Sequence, residues 1–121
     1  MATKEIDSST RKAVLERQNN RSISGAWLGN GAEFHHAIHS RGASGVGYEW
    51  NIVALTPEEH MAVHEGADIK INGRIRYKNK EFRTLIRNHL LLNYANWSED
   101  KCLVHKGWSK EDYHVARGGT T

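Results

Sequence analysis

Residues 50–66 have the sequence WNIVALTPEEHMAVHEG, which predicts a short strand followed by a helix. The first six residues, 50–55, have the β-branched and aromatic content of a strand. Thr56 can cap the helix, Pro57 suits its first position, and Glu59 stands where a capping box needs a carboxylate. These signals predict a strand that leads directly into a capped helix.

The predicted helix carries two histidines. It should run over residues 57–65 and end at Gly66, which suits a left-handed C-terminal position. His60 and His64 are four residues apart, so their side chains lie on one face of the helix and can converge on one ion. By itself, such a pair is more often a solvent-facing coincidence.

A second short strand is predicted upstream, where residues 33–38 read EFHHAI. His35 and His36 are neighbours on this strand and therefore point to opposite faces, so one can face an ion while the other points elsewhere. A Gly- and Ser-rich loop at 40–47 separates the two strands. The sequence thus predicts two strands joined by a long loop, with the capped helix after them.

This order of parts resembles the HNH endonuclease family, also called the ββα-metal nucleases, and in particular small stand-alone phage-encoded members. The resemblance covers about residues 14–66. It is carried by the lead-in segments VLER at 14–17 and RSI at 21–23, EFHHAI at 33–38, Arg41-Gly42, WNIVAL at 50–55 and EHMAVH at 59–64. It implies an α+β fold with a ββα-metal core over residues 33–66.

The resemblance also implies roles for five residues. His35, His60 and His64 would hold one divalent metal ion, with Mg²⁺, Mn²⁺, Ni²⁺ and Zn²⁺ all left open. The catalytic residues would be His36, as the general base, and Asn51, which holds the loop and orients the base. A neutral imidazole suits proton removal from water near neutral pH, and three protein ligands leave positions open for phosphate and water.

The activity implied is metal-dependent hydrolysis of DNA phosphodiester bonds to 5′-phosphate and 3′-hydroxyl ends, by nicking or double-strand cleavage. By family analogy the partners are DNA and phage packaging or recombination proteins, for a monomer or weak dimer in the cytoplasm (the host cytoplasm for a phage protein). A non-catalytic, metal-binding nucleic-acid module is the alternative. A metalloprotease is disfavoured because Met61 follows His60 where that class needs a glutamate.

Charge is distributed unevenly along the chain. Residues 1–66 have six Lys or Arg against eight Asp or Glu, whereas residues 67–121 have eleven against six. The segment 70–87 has seven basic residues and one acidic residue, which suits a phosphate-bearing partner, although a solvated helix face and loop would look the same. The predicted substrate-binding residues are Arg41, Arg74, Arg76 and Lys78.

Length and composition favour one soluble domain over residues 1–121, with no apolar run long enough to span a bilayer. An N-terminal helix is predicted within 1–20, at residues 8–19, and a long amphipathic helix at 79–97 opens a C-terminal helical extension over 79–121. Residues 67–78 are ambiguous, since apolar residues alternate around Asn72-Gly73 as in a hairpin but the segment is short and very basic.

Cysteine usage separates this chain from many members of the family. Cys102 is the only cysteine, so an internal disulfide and a Cys-rich zinc knuckle are both excluded. Many members bind a structural zinc through Cys pairs, but the corresponding turn here reads RSISG at 21–25 and position 56 is Thr. The fold is therefore expected to do without structural zinc and to depend on packing by Trp27, Trp50 and the long helix.

Overall fold

The structure, a computed structural model, describes residues 4–39 and 44–118. In chain order its elements are α1 (Ser8–Arg17), β1 (Glu33–His36), β2 (Ile52–Leu55), α2 (Pro57–Glu65), β3 (Ile69–Ile71), β4 (Arg74–Tyr77), α3 (Asn79–Asn93) and α4 (Lys110–Tyr113), with one-turn 3₁₀ helices at Glu49–Asn51 and Asp100–Cys102. The predicted α+β class is confirmed. No helix in the described ranges is long and apolar enough to cross a membrane.

Strands β1 and β2 pair in antiparallel fashion, with His35 opposite Val53 and His36 opposite Ile52. Every residue of β2 is buried, because its two faces pack into two different hydrophobic cores. Val53 belongs to the larger core and Ile52 to a smaller one beside α1. Residues paired across an antiparallel ladder share a face, so His35 and His36 project to opposite sides of the sheet. Strand β2 begins at Ile52 and not at the predicted residue 50, because residues 49–51 form a 3₁₀ turn.

The predicted capping signals of α2 are all present. The Thr56 hydroxyl accepts a hydrogen bond from the Glu59 N–H, and the Glu59 carboxylate accepts one from the Thr56 N–H at 3.0 Å. Pro57 opens the helix, and Gly66 closes it with a φ of 70°. The direction in which His60 and His64 leave the helix is therefore set by its own local sequence.

A hydrogen-bonded clip joins α2 to the turn after α1. Glu59 is buried, and its carboxylate accepts hydrogen bonds from the hydroxyls of Ser22 and Ser24. Both serines belong to the turn of residues 21–25. The turn is thus fastened to the start of α2 by side-chain hydrogen bonds.

Residues 67–78 form a hairpin, which resolves the ambiguity of the sequence. Strands β3 and β4 pair in antiparallel fashion, and the two turn residues, Asn72 and Gly73, have φ values of 53° and 78°. Two successive positive φ values are what a type I′ turn requires, and Asn-Gly is its preferred sequence. Most of the hairpin is exposed, but Ile69 is buried against the larger core.

Helix α3 buries Phe82, Ile86 and Leu90 on one face, as its spacing predicts. It ends at Asn93, earlier than the predicted residue 97, because Tyr94 has extended backbone angles. The expected helical extension over 79–121 is therefore only partly helical. After α3 the described chain has only the 3₁₀ turn at Asp100–Cys102 and the four residues of α4. This irregular segment still supplies core side chains: Trp97, Cys102, Tyr113 and Val115.

The prediction that Trp27 packs into the fold is wrong. Its side chain is 63% exposed and lies beneath the guanidinium of Arg21, at 5.6 Å from the ring centroid. Trp50 is buried as expected, and its indole N–H donates to the Lys101 carbonyl at 3.0 Å. Cys102 is a buried free thiol, and burial raises its pKa to about 12, so it is neither ionised nor reactive at neutral pH.

Arg17 ties α1 to α3 and to β2. Its guanidinium donates to the Nε2 atom of His89 at 2.9 Å and to the Ile52 carbonyl at 2.7 Å. Burial, followed by the charge of Arg17, lowers the pKa of His89 to about 4. His89 is therefore a neutral acceptor in the folded protein, where protonation would place two cations side by side.

Folding stability should consequently fall as the pH falls from about 6.5 to 4, because the unfolded chain takes up a proton on His89 that the folded chain resists. We expect the loss due to this residue to be about 1–2 kcal/mol, since part of the ring remains solvated. Urea denaturation at pH 7.5 and 4.5 tests this with His89→Gln, which keeps an acceptor but does not titrate. An equal loss of stability in both proteins would contradict the assignment.

Candidate metal centre

Three imidazoles meet where β1 faces α2. His35 comes from the strand, and His60 and His64 come from successive turns of the helix, and one ligand atom from each lies within 4.8 Å of the other two. The ring centroid of His35 is 5.3 Å from that of His60 and 5.4 Å from that of His64. Strand alternation and helical spacing therefore bring together the three residues expected to be ligands.

His35 is 5% exposed, and its Nδ1 atom is buried without a hydrogen-bond partner among the described residues. A buried polar atom left without a partner is costly, so native structures nearly always supply one. Burial, assisted by the neighbouring histidines, lowers the pKa of His35 to about 3. The ring is thus neutral and keeps a lone pair for a ligand at any physiological pH.

Glu33 fixes the orientation of His60. The Nδ1–H of His60 donates to the Glu33 carboxylate at 2.8 Å, so in the neutral ring the Nε2 atom carries the lone pair. This Nε2 atom accepts a hydrogen bond from the Nε2–H of His64 at 2.9 Å. Burial, followed by the charge of His60, also lowers the pKa of His64. The three rings therefore bring their nitrogen atoms to one small volume.

The donor set fits a divalent ion. Three imidazoles are a recurrent set for Zn²⁺, with further positions open to water or substrate. A carboxylate behind a histidine is a common second layer at such sites, where it fixes the tautomer of the ring. Nitrogen donors favour Zn²⁺ or Ni²⁺ over Mg²⁺, which prefers oxygen.

His36 points to the other face of the sheet, where the N-terminal segment crosses it. The Nε2–H of His36 donates to the Lys4 carbonyl at 2.8 Å. A carbonyl can only accept, so this contact places the ring proton on Nε2 and leaves Nδ1 as the basic nitrogen of the neutral ring. Gly47 makes the crossing possible, because a Cβ atom there would lie 1.9 Å from the Glu5 carbonyl oxygen.

Asn51 is fully buried and holds the chain on both sides of the loop. Its side-chain oxygen accepts from the Ile38 N–H at 2.8 Å, and its amide nitrogen donates to the carbonyls of Ile38 and Val46 at 3.1 and 3.0 Å. Asn51 is thus a positioning residue, because it fastens the segment that follows His36. Its burial keeps it from contact with a substrate.

Three of the four predicted substrate-binding residues belong to one exposed segment of the chain. Arg74, Arg76 and Lys78 are exposed on or beside the β3–β4 hairpin. In the described ranges no hydrogen bond or ion pair joins them to the cluster, and the guanidinium of Arg76 lies 5.2 Å from the centroid of the Tyr77 ring. Arg41 lies outside the described residues.

Two of the contacts that build the centre were not predicted from the sequence. Glu33 lies two residues before His35, so strand alternation could have placed both on one face. The contact between Lys4 and His36 spans 32 residues, and no local pattern indicates it. Comparison of the chain with protein-family models, with curated proteins and with solved structures returned no match.

Proposed function

We propose that this protein is a metal-dependent DNA endonuclease of the HNH type, built on a ββα-metal core formed by β1, β2 and α2. The observation that carries the proposal is the convergence of His35, His60 and His64 within 4.8 Å, with His36 as the next residue on the same strand. Metal ligands and a titratable base then sit on adjacent residues of one short strand, with Asn51 fastening the chain that follows.

Each residue then has a defined task. His35, His60 and His64 would hold the ion, which when bound supplies a positive charge that stabilises the transferred phosphate and the leaving oxygen. His36 accepts a proton from the attacking water on Nδ1, while its Nε2–H stays bonded to the Lys4 carbonyl. Because this hydrogen bond holds the ring, Nδ1 keeps its direction when it takes the proton.

Plasmid cleavage tests the proposal. Supercoiled DNA is incubated with metal-free protein, with the protein plus Zn²⁺, Ni²⁺, Mn²⁺ or Mg²⁺, and with each metal plus excess chelator. We expect open-circular or linear product with at least one metal and none in chelator. If the protein binds DNA but cleaves it with none of these metals, the proposed nuclease activity is wrong, and the non-catalytic binding module is favoured.

Glu33 provides a test of the metal centre that is independent of cleavage. The Glu33→Ala variant should bind Zn²⁺ about 10–100-fold more weakly than the wild type, because His60 loses the acceptor that fixes its tautomer. Competition against a chelating dye measures the dissociation constant. Glu16→Ala, which removes an exposed carboxylate of α1, is the matched control. Equal affinity in both variants would show that the carboxylate does not support the site.

A further inference from the structure

A basic groove runs along α3 beside the chain that leaves β1. Its volume is about 350 Å³, and one wall is formed by Ala37 and Ile38. The opposite wall is a face of α3 that carries Lys80, Arg83 and Arg87, and Glu99 also lines the groove. We call this feature the α3 groove.

The three cations of the α3 groove form a row. Their spacings of three and four residues place them on one face of the helix, and all three are exposed. With a rise of about 1.5 Å per residue, the row is about 10 Å long. One DNA strand carries a phosphate for about every 3.4 Å of helix axis, so the row matches about three nucleotides.

Two of the three cations have no ion-pair partner in the part of the chain that the structure describes. Arg87 forms an ion pair with Glu99 and lies over the Trp97 ring at 5.8 Å. Across residues 4–39 and 44–118, no hydrogen bond or ion pair involves the side chains of Lys80 or Arg83. The groove therefore holds three positive charges against one negative charge and exposes two cations to an incoming anion.

The groove is fixed relative to the candidate base. Ala37 directly follows His36, and its N–H donates to the Asn51 carbonyl at 2.8 Å. Ile38 is held through both its N–H and its carbonyl by the Asn51 side chain. The groove wall thus begins one residue after His36 in the chain, and hydrogen bonds to Asn51 hold it in place.

We propose that the α3 groove binds the phosphate backbone of the DNA strand on one side of the bond that is cut. Lys80 and Arg83 contact successive phosphates, and Glu99 holds Arg87 until a phosphate competes for its guanidinium. The proposal rests on the proposed function, since it takes His36 as the point of cleavage. It assigns backbone binding to α3, in addition to the hairpin residues Arg74, Arg76 and Lys78.

Salt-dependent binding tests the groove without any cleavage. The affinity of the full-length protein for a short fluorescent DNA duplex is measured by anisotropy, in chelator, over a series of salt concentrations. The K80A/R83A variant should lose about 10-fold or more in affinity, and its log–log salt slope should fall by about two, one for each lost phosphate contact. Glu99→Gln should bind more tightly than the wild type, because it frees Arg87.

The control is K12A/K110A, which removes the same charge from exposed positions on α1 and α4. It should retain the wild-type slope. If K80A/R83A has the same salt slope as the control, the α3 groove does not bind DNA phosphates, even if the wild type cleaves DNA. If the salt slope falls in K80A/R83A alone, phosphate binding in the α3 groove is supported. This holds even if the wild type fails to cleave DNA and the proposed nuclease activity is wrong.

Discussion

The His36→Ala variant is expected to cleave plasmid about 10²–10⁴-fold more slowly than the wild type, because it lacks the base that takes the proton from water. Its metal affinity should stay unchanged, since His36 projects to the sheet face opposite His35. The measurement is the initial rate of loss of supercoiled DNA, at matched concentrations of metal-loaded protein.

His114→Ala is the matched control for this variant. His114 is exposed just after α4, and no proposed step uses it, so its removal should leave the rate within a few fold of the wild type. Equal rates for His36→Ala and the wild type would contradict the assigned base. A loss of bound metal in His36→Ala would instead show that the two faces of β1 are not independent.

The second large effect is expected on stability. The Glu59→Ala variant should lose about 2–4 kcal/mol of unfolding free energy, because the buried hydroxyl of Ser22 loses its acceptor and α2 loses its capping box. Urea denaturation at neutral pH measures the change. The reason is structural, since one carboxylate binds both the turn after α1 and the first turn of α2.

Glu58→Ala separates this clip from a general effect of charge. Glu58 is exposed in the same helical turn, so its loss should cost less than about 1 kcal/mol through the helix dipole alone. Similar stabilities for Glu58→Ala and Glu59→Ala would contradict the role of the clip. A Glu59→Ala protein that retains wild-type metal affinity would further show that the clip is not needed to place His60.

The elements predicted correctly are those with local signals. The caps of α2, the Asn72-Gly73 turn and the apolar face of α3 each depend on residues a few positions apart, so the sequence displays them directly. The convergence of the three histidines was predicted for a different reason. It follows from combining strand alternation at His35 with helical spacing at His60 and His64, once the resemblance to the HNH family is used to set these elements side by side.

The features that were missed depend on distant pairs. Glu33 lies 27 residues from His60, and Ser22 lies 37 residues from Glu59. Strand alternation places Glu33 on the face of His35 but does not indicate its bond to His60, and no local pattern links Ser22 to Glu59. Trp27 was misassigned for a related reason, since a large aromatic side chain suggests a core but gives no information on which side of its turn it lies.

Whether His35, His60 and His64 hold one divalent ion is measured most directly by diffraction from crystals of the protein grown with Zn²⁺, with data collected on both sides of the zinc absorption edge. We expect one strong anomalous peak, at about 2.0–2.1 Å from a ring nitrogen of each of the three histidines. A well-ordered cluster with no peak, or a peak bound only by other residues, would contradict the proposed metal centre.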